Sequence, residues 1–211
     1  MYLAFYNLIS ALMWGLMLGR VVSVAPFYGN YDLNRTTGGW VQWVQTMAVA
    51  EIFHSLFGLV RAPLFTTLIQ VASRIIIVWG IYPNFPSVPA QHWQNSTMLF
   101  AWSTTEVIRY TYFFSILGGL DEMPALLPYL KWARYNTFFA LYPIGIASEC
   151  YLIYKTIPLA SKVDENYGLA LKAVLAAYVP GTIVLYTHMI RQRNKVMKKD
   201  REGKKDEKKT Q

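Results

Sequence analysis

Tyr142 and Glu149 are the two side chains whose types and spacing best suit acid–base chemistry. Seven residues make two turns of an α-helix, so both side chains would lie on one helix face, about 10 Å apart along the axis. A phenol donates a proton and a carboxylate accepts one, and an apolar pocket makes a carboxylate a stronger base toward a weak carbon acid. The spacing predicts an acid–base pair, with structural polar packing as the alternative.

Two residues between this pair affect the backbone. Pro143 leaves a carbonyl one turn earlier without its helical partner, so we expect a kink in the helix at this point. Gly145 leaves a gap beside the backbone that a neighbouring helix or a ligand would fill. The surroundings of Tyr142 and Glu149 therefore favour a cavity between helices.

Further ionisable residues lie in apolar parts of the chain, where a charge costs about 3 kcal/mol by the lower estimates. Glu106 and Arg109 are three residues apart and can form an ion pair on one helix. Either this pair only fixes helix packing, or Arg109 or Arg74 faces a cavity and meets an anionic or carbonyl group of a ligand. Glu51 and His54, also three apart, have the same two interpretations, packing through interhelical hydrogen bonds or function.

The composition identifies the medium in which these residues work. Charged residues make up 15% of the 211 residues, against about 25% in an ordinary soluble domain, and 54% are hydrophobic. Residues 191–211 contain ten of the twenty Lys and Arg side chains, so residues 1–190 have only ten basic and eight acidic side chains. A soluble globule of that size needs more charge, and we predict a membrane protein.

A bilayer core needs about 20 mostly apolar residues per helix. Six such windows predict an all-α membrane protein, a six-transmembrane-helix bundle in residues 1–190, followed by a disordered basic tail at 191–211. The windows are approximately 2–24, 40–60, 63–82, 97–117, 134–154 and 169–190. The segment between the first two windows is expected to be a loop, and the second and third windows to form a tight helical hairpin.

The basic tail determines the predicted orientation. The short loops on the two sides of the membrane carry equal numbers of basic residues, so they do not determine the orientation. The ten basic residues after Ile190 place the C-terminus in the cytosol by the positive-inside rule. An even number of spans places the N-terminus there as well. The sequons at Asn34 and Asn95 then lie on the opposite side.

Four segments carry longer motifs that together resemble one known family, the very-long-chain (3R)-3-hydroxyacyl-CoA dehydratases, first named protein-tyrosine-phosphatase-like. The motifs are E-x-x-H-x-x-x-G-L-V-R at 51–61, Q-x-x-S-R at 70–74, W-S-x-x-E-x-I-R-Y at 102–110 and R-Y-x-x-F-x-x-L-Y-P-x-G-x-x-x-E at 134–149. The resemblance runs through all six windows.

The resemblance implies loss of water from a (3R)-3-hydroxyacyl-CoA to give a trans-2-enoyl-CoA, the third step of fatty acid elongation in the endoplasmic reticulum membrane. The family's catalytic Tyr and Glu correspond to Tyr142 and Glu149. The implied partners are the acyl-CoA substrate, the lipid bilayer and the other elongation enzymes, namely the condensing enzyme, the ketoacyl-CoA reductase and the enoyl-CoA reductase, with no nucleic acid. Lys208 and Lys209, fourth and third from the end, resemble a di-lysine retrieval signal.

We assign Glu149 as the base at the α-carbon and Tyr142 as the proton donor, to either the departing hydroxyl or the enolate-like oxygen. The oxyanion would need stabilisation, for which Arg74, Arg109 and Tyr135 are candidates, with Glu106 in a supporting position. CoA would remain at the basic cytosolic face. A structural metal is not expected, because one cysteine and three scattered histidines show no ligand spacing. The elimination needs no metal or redox cofactor either.

Two other functions remain open at this stage. A non-catalytic six-span scaffold of the elongation complex would use the same polar residues for packing. A small transporter is disfavoured because the chain has no internal repeat. Phosphatase chemistry is excluded, because it requires Arg six residues after the nucleophilic Cys, and Cys150 is followed at that distance by Thr156.

Overall fold

The computed structural model describes residues 1–60, 62–119 and 125–207, with side chains up to residue 202, and all regular elements within these ranges are helical. The helices, in chain order, are α1 (Tyr2–Met47), α2 (Val49–Leu56), α3 (Leu64–Ile75, extended by a π-helical segment Ile76–Ile81), α4 (Ser87–Gln91), α5 (Gln94–Phe114, extended by a π-helical segment Ser115–Gly119), α6 (Leu126–Asn136), α7 (Phe138–Val163) and α8 (Glu165–Glu207).

Helix α1 includes the segment at 25–39 that the sequence predicted to be a loop, and that prediction is wrong. The break is confined to Gly29, whose φ of +81° lies in the left-handed region that glycine tolerates. Helix resumes at once, and several of the polar residues that follow are hydrogen-bonded within the helix or to a neighbouring segment. Thr37 Oγ1 donates to the Leu33 carbonyl, and Asn30 Nδ2 donates to the Ala90 carbonyl at 3.0 Å.

Helix α5 lies at the centre of the fold, packing against α1 on one side and α7 on the other, while α7 packs against α8. The core between these helices is built from large apolar side chains, at least 98% buried, of which Trp14 and Met17 on α1, Leu99 and Trp102 on α5, and Leu152 and Ile153 on α7 are examples. This core fixes the helix faces that carry the polar side chains of α5 and α7.

The fifth predicted span, 134–154, is not one helix. The chain bends by 48° at Thr137, where α6 ends and α7 begins. The Thr137 hydroxyl donates to the Ala133 carbonyl, which keeps the end of α6 hydrogen-bonded across the bend. Helix α7 continues through Pro143 without a break, so the sharp bend of this segment lies at Thr137 and the milder kink expected at Pro143 stays a prediction.

Helix α8 continues to Glu207, so the disorder predicted for the basic tail is wrong for residues 191–207. Two contacts hold this part of α8 against α6. Lys131 Nζ lies 2.6 Å from an Asp200 carboxylate oxygen, and Arg193 Nη2 donates to Asn136 Oδ1 at 3.0 Å. The proposed retrieval lysines, Lys208 and Lys209, lie outside the described residues.

Within the described residues, three helical segments have the length and hydropathy of a membrane span, namely Tyr2–Leu56, Leu64–Ile81 and Glu165–Glu202, and α6 with α7 makes a fourth if the bent pair is counted as one. Many large apolar side chains point outward, among them Phe5, Leu12, Phe65, Val179 and Ile183. Apolar surface of this extent fits lipid contact. The protein is an all-α protein with several apolar helices that fit a multi-pass membrane protein.

Candidate active site

Helix α7 carries both residues of the predicted acid–base pair. It has no break between Tyr142 and Glu149, so the two side chains lie on one face, two turns apart. Glu149 is 5% exposed and faces the interior between α5, α7 and α8. A buried carboxylate needs hydrogen-bond donors, and the neighbouring helices provide them.

Two donors hold the Glu149 carboxylate. Trp102 Nε1 on α5 donates to Oε1 at 2.7 Å, and the Tyr178 hydroxyl on α8 donates to Oε2 at 2.8 Å. Each oxygen accepts one bond, so each keeps a lone pair for a further proton or donor. Because the donors come from two helices, the carboxylate is fixed in orientation and still able to accept a proton.

Gly145 lies one turn before Glu149 and allows α5 to approach α7. A Cβ atom at this position would lie 3.7 Å from the Ala101 Cβ and 3.9 Å from both Glu149 Oε1 and Trp102 Cδ1. These distances are ordinary van der Waals contacts, so the gap predicted from the sequence is about the size of one methyl group. Gly145 therefore borders the carboxylate directly.

The Tyr142 hydroxyl is buried and forms no hydrogen bond with any described residue. Its ring stacks on that of Tyr186 of α8, with centroids 5.7 Å apart and planes 25° apart. A buried hydroxyl without a partner is costly, which makes this oxygen suited to a hydrogen bond with a substrate. The stacking fixes the ring, and the hydroxyl remains available.

The other predicted charges form one network that connects three helices. Glu106 of α5 accepts hydrogen bonds from Arg74 of α3 and from Arg109 of its own helix, the latter with Nε at 2.7 Å. Arg109 also donates through Nη1 and Nη2, both at 2.7 Å, to the two oxygens of Glu51 on α2. Tyr110 donates to Glu51 as well. The Glu106–Arg109 pair predicted from their spacing is confirmed.

The two arginines differ in what they can still bind. The nitrogens of Arg109 are engaged by two carboxylates, so this side chain has a structural role in the network. Among the described contacts, Arg74 bonds to Glu106 through Nη1 alone, and its guanidinium lies over the Trp102 ring, 4.9 Å from the centroid. Arg74 is therefore positioned beside the indole that binds Glu149 and keeps free donors.

Tyr135 and His54 lie apart from the carboxylate. Tyr135 is on α6, before the bend at Thr137, and its ring packs edge-on against Tyr112 at 6.4 Å. His54 on α2 is bonded to the Tyr2 hydroxyl of α1 at 2.9 Å, which confirms the interhelical hydrogen bond considered for it. Among the described contacts, neither residue reaches Tyr142 or Glu149.

The described residues contain no cluster of three or more His, Cys, Asp and Glu side chains that would hold a metal ion. Cys150 follows Glu149 on α7 and is partly buried. Thr156, at the position where a phosphatase loop needs arginine, is fully buried, and its hydroxyl donates to the Leu152 carbonyl.

Sequence reasoning did not identify Trp102 or Tyr178 as partners of Glu149. Trp102 appeared only as part of a motif, and Tyr178 was not singled out. A usable signal existed for Tyr178, because it lies in the middle of an apolar window, whereas membrane tyrosines concentrate at the ends of spans. A tyrosine in mid-span needs a polar partner, and the buried carboxylate is that partner.

Comparisons with known proteins identify the family to which the chain belongs. Residues 45–199 match the family model PTPLA, described as protein tyrosine phosphatase-like protein. A relative from Schizosaccharomyces pombe, named a probable very-long-chain (3R)-3-hydroxyacyl-CoA dehydratase, is 40% identical over 94% of this chain and 93% of its own. The Arabidopsis thaliana dehydratase PASTICCINO 2 is 35% identical over 95% of this chain and 94% of its own.

The human very-long-chain (3R)-3-hydroxyacyl-CoA dehydratase 2 is 32% identical over 98% of this chain and 84% of its own. No solved structure matches. The matches extend over the helices that carry Tyr142, Glu149 and the charge network. The chain belongs to the protein-tyrosine-phosphatase-like (PTPLA) family, the family of the very-long-chain (3R)-3-hydroxyacyl-CoA dehydratases.

Proposed function

We propose that this protein removes water from (3R)-3-hydroxyacyl-CoA to form trans-2-enoyl-CoA, the third step of very-long-chain fatty acid elongation. The observation that supports this most directly is the buried Glu149 carboxylate, which accepts hydrogen bonds from Trp102 and Tyr178. It lies on the same face of α7 as the Tyr142 hydroxyl, which has no partner among the described residues. A fixed base and a fixed acid are what an elimination requires.

In the proposed reaction, Glu149 takes the proton from C2 of the acyl group. The electron pair of that C–H bond forms the C2=C3 double bond, and the C3–O bond breaks. Tyr142 donates its proton to the departing hydroxyl, which leaves as water. The proton on Glu149 then returns to the Tyr142 phenolate, so the enzyme is restored and no co-reactant is consumed.

Negative charge develops on the thioester oxygen during the first step, and a positioned donor would stabilise it. Of the candidates from the sequence, we assign this role to Arg74. It has unused donors and lies beside Trp102, whereas Arg109 is engaged by Glu51 and Glu106, and Tyr135 packs on α6. Arg109 and Glu106 then support the site by holding α2, α3 and α5 together.

The test is an assay of the purified full-length protein in detergent with (3R)-3-hydroxyacyl-CoA. Wild type is expected to form enoyl-CoA, while Tyr142→Phe and Glu149→Gln each lose activity by about 10²-fold or more and keep their thermal stability. Turnover at the wild-type rate by either variant contradicts the residue assignment. Absence of any turnover by wild type favours the non-catalytic scaffold instead.

We further propose that the chain crosses the endoplasmic reticulum membrane six times, with both termini on the cytosolic side. Gly29 divides α1 into two parts, each long enough to cross once, which supports counting Tyr2–Leu56 as two spans. Helix α5, with 21 residues, is also long enough to cross and would be the sixth span. The other elongation enzymes are the proposed protein partners.

Cysteine labelling tests the proposed topology. A single cysteine is placed at Tyr28 or at Lys199 of a Cys150→Ser variant, and the two cysteines should be labelled from opposite sides of sealed microsomes. Labelling of both from one side contradicts the topology.

A further inference from the structure

A basic groove lies on the part of α8 that follows the sixth predicted span. It has a volume of about 390 Å³ and is lined by Arg193, Asn194, Met197, Lys198 and Arg201. Their spacing in sequence places all five on one helix face. The groove therefore presents three cationic side chains and one amide to a single ligand, although Lys198 Nζ also lies 3.9 Å from a Glu202 carboxylate oxygen.

The groove has a fixed position relative to the rest of the protein. Arg193, at its membrane-proximal end, donates to Asn136 Oδ1 from both Nε at 3.2 Å and Nη2 at 3.0 Å. Lys131 of α6 bonds to Asp200 at 2.6 Å on the same stretch of α8. These contacts with α6 hold the basic face in place, so the cations do not belong to a loose tail.

A row of aromatic rings connects the groove to the acid–base pair. The Arg193 guanidinium lies over the Phe139 ring, 5.3 Å from the centroid, and Phe139 contacts Tyr186 at 6.4 Å. Tyr186 in turn stacks on Tyr142. Along α8, fifteen residues separate Arg193 from Tyr178, which corresponds to a rise of about 22 Å. A long, narrow molecule anchored at the groove would therefore extend toward Glu149.

We propose that this groove binds the phosphates of the CoA moiety, with the pantetheine arm running past Phe139 and Tyr186 to Tyr142. Arg and Lys side chains bind phosphate through charge-assisted hydrogen bonds, and a cluster of them suits the pyrophosphate and 3′-phosphate of CoA. The inference rests on the proposed function for the identity of the thioester. An anionic lipid headgroup offers the same phosphate chemistry, and the experiment separates the two sources.

The test compares two double variants of the full-length protein in phosphatidylcholine nanodiscs. Lys198→Ala/Arg201→Ala removes two charges from the groove. Lys195→Ala/Lys199→Ala removes two from the opposite face of the same helix and is the matched control. Each is assayed with a (3R)-3-hydroxyacyl-CoA and with the same acyl group on pantetheine, which lacks the nucleotide phosphates.

The groove variant is expected to raise KM for the CoA thioester about tenfold without changing kcat, and to leave the pantetheine thioester unaffected. The control should match wild type with both substrates. Equal KM values for wild type and groove variant overturn the inference, and so does an equal loss with both substrates, which indicates a structural role. An effect that appears only when phosphatidylserine is added to the nanodiscs assigns the groove to lipid and also overturns it.

Direct binding separates this inference from the proposed function. CoA binding to the Glu149→Gln variant, which does not depend on turnover, should weaken about tenfold when Lys198→Ala/Arg201→Ala is added. If wild type shows no turnover but this loss of CoA binding is seen, the groove assignment stands and the proposed reaction fails. If turnover is seen and CoA binding is unchanged, the groove assignment fails alone.

Discussion

Replacing Tyr178 with Phe removes one of the two hydrogen bonds to Glu149 and changes little else. The phenyl ring fills nearly the same volume, so no cavity forms, and Trp102 still binds the other carboxylate oxygen. A hydrogen bond to a charged group contributes about 1.5–3 kcal/mol. If that energy serves to orient the carboxylate for proton abstraction, its loss corresponds to a decrease of about 10- to 150-fold in kcat.

The assay is steady-state dehydration of (3R)-3-hydroxyacyl-CoA by wild type, Tyr178→Phe and a control, Tyr154→Phe. Tyr154 lies on α7 and is 61% exposed, so the same chemical change there should leave kcat unchanged. The reasoning is refuted if Tyr178→Phe retains wild-type kcat. It is also refuted if kcat falls only in proportion to a fall in thermal stability, because that result indicates a packing role.

Three further predictions concern neighbouring positions. Glu106→Gln leaves Arg74 and Arg109 without one carboxylate and should destabilise the fold by about 3–5 kcal/mol, measured as a lower Tm in detergent; an unchanged Tm contradicts the structural role of the network. Gly145→Ala should fold and retain most activity, because the added methyl group meets only van der Waals contacts; complete loss of activity would show that the gap is occupied by substrate. Cys150→Ser should retain wild-type dehydration within about twofold, since no proposed step uses the thiol, and loss of activity contradicts the mechanism.

The sequence could predict the features that depend on one helix at a time. The i, i+7 spacing of Tyr142 and Glu149 and the i, i+3 spacing of Glu106 and Arg109 are properties of a regular helix, and the structure has them. The approximate positions of the apolar segments follow from hydropathy for the same reason. The breaks were harder to locate, because turn-forming residues at 25–39 are compatible with helix when neighbours satisfy their polar groups.

Contacts between helices could not be read from the sequence. Tyr178 is 29 residues from Glu149, and Arg109 is 58 residues from Glu51, so neither pairing has a local pattern. The position of the bend shows the same limitation. Pro143 drew attention to a point inside α7, whereas the 48° bend lies at Thr137, which carries no helix-breaking residue type.

The charge network has a consequence for biosynthesis. Glu51 and Arg74 are synthesised before their partners on α5, which follow 58 and 32 residues later. At roughly 5–20 residues per second, Glu51 waits roughly 3–12 s for Arg109. During that interval the Glu51 carboxylate has no ion-pair partner, so transfer of α2 alone into lipid would expose an uncompensated charge to the hydrocarbon. The network favours release of α2, α3 and α5 into the bilayer as a group.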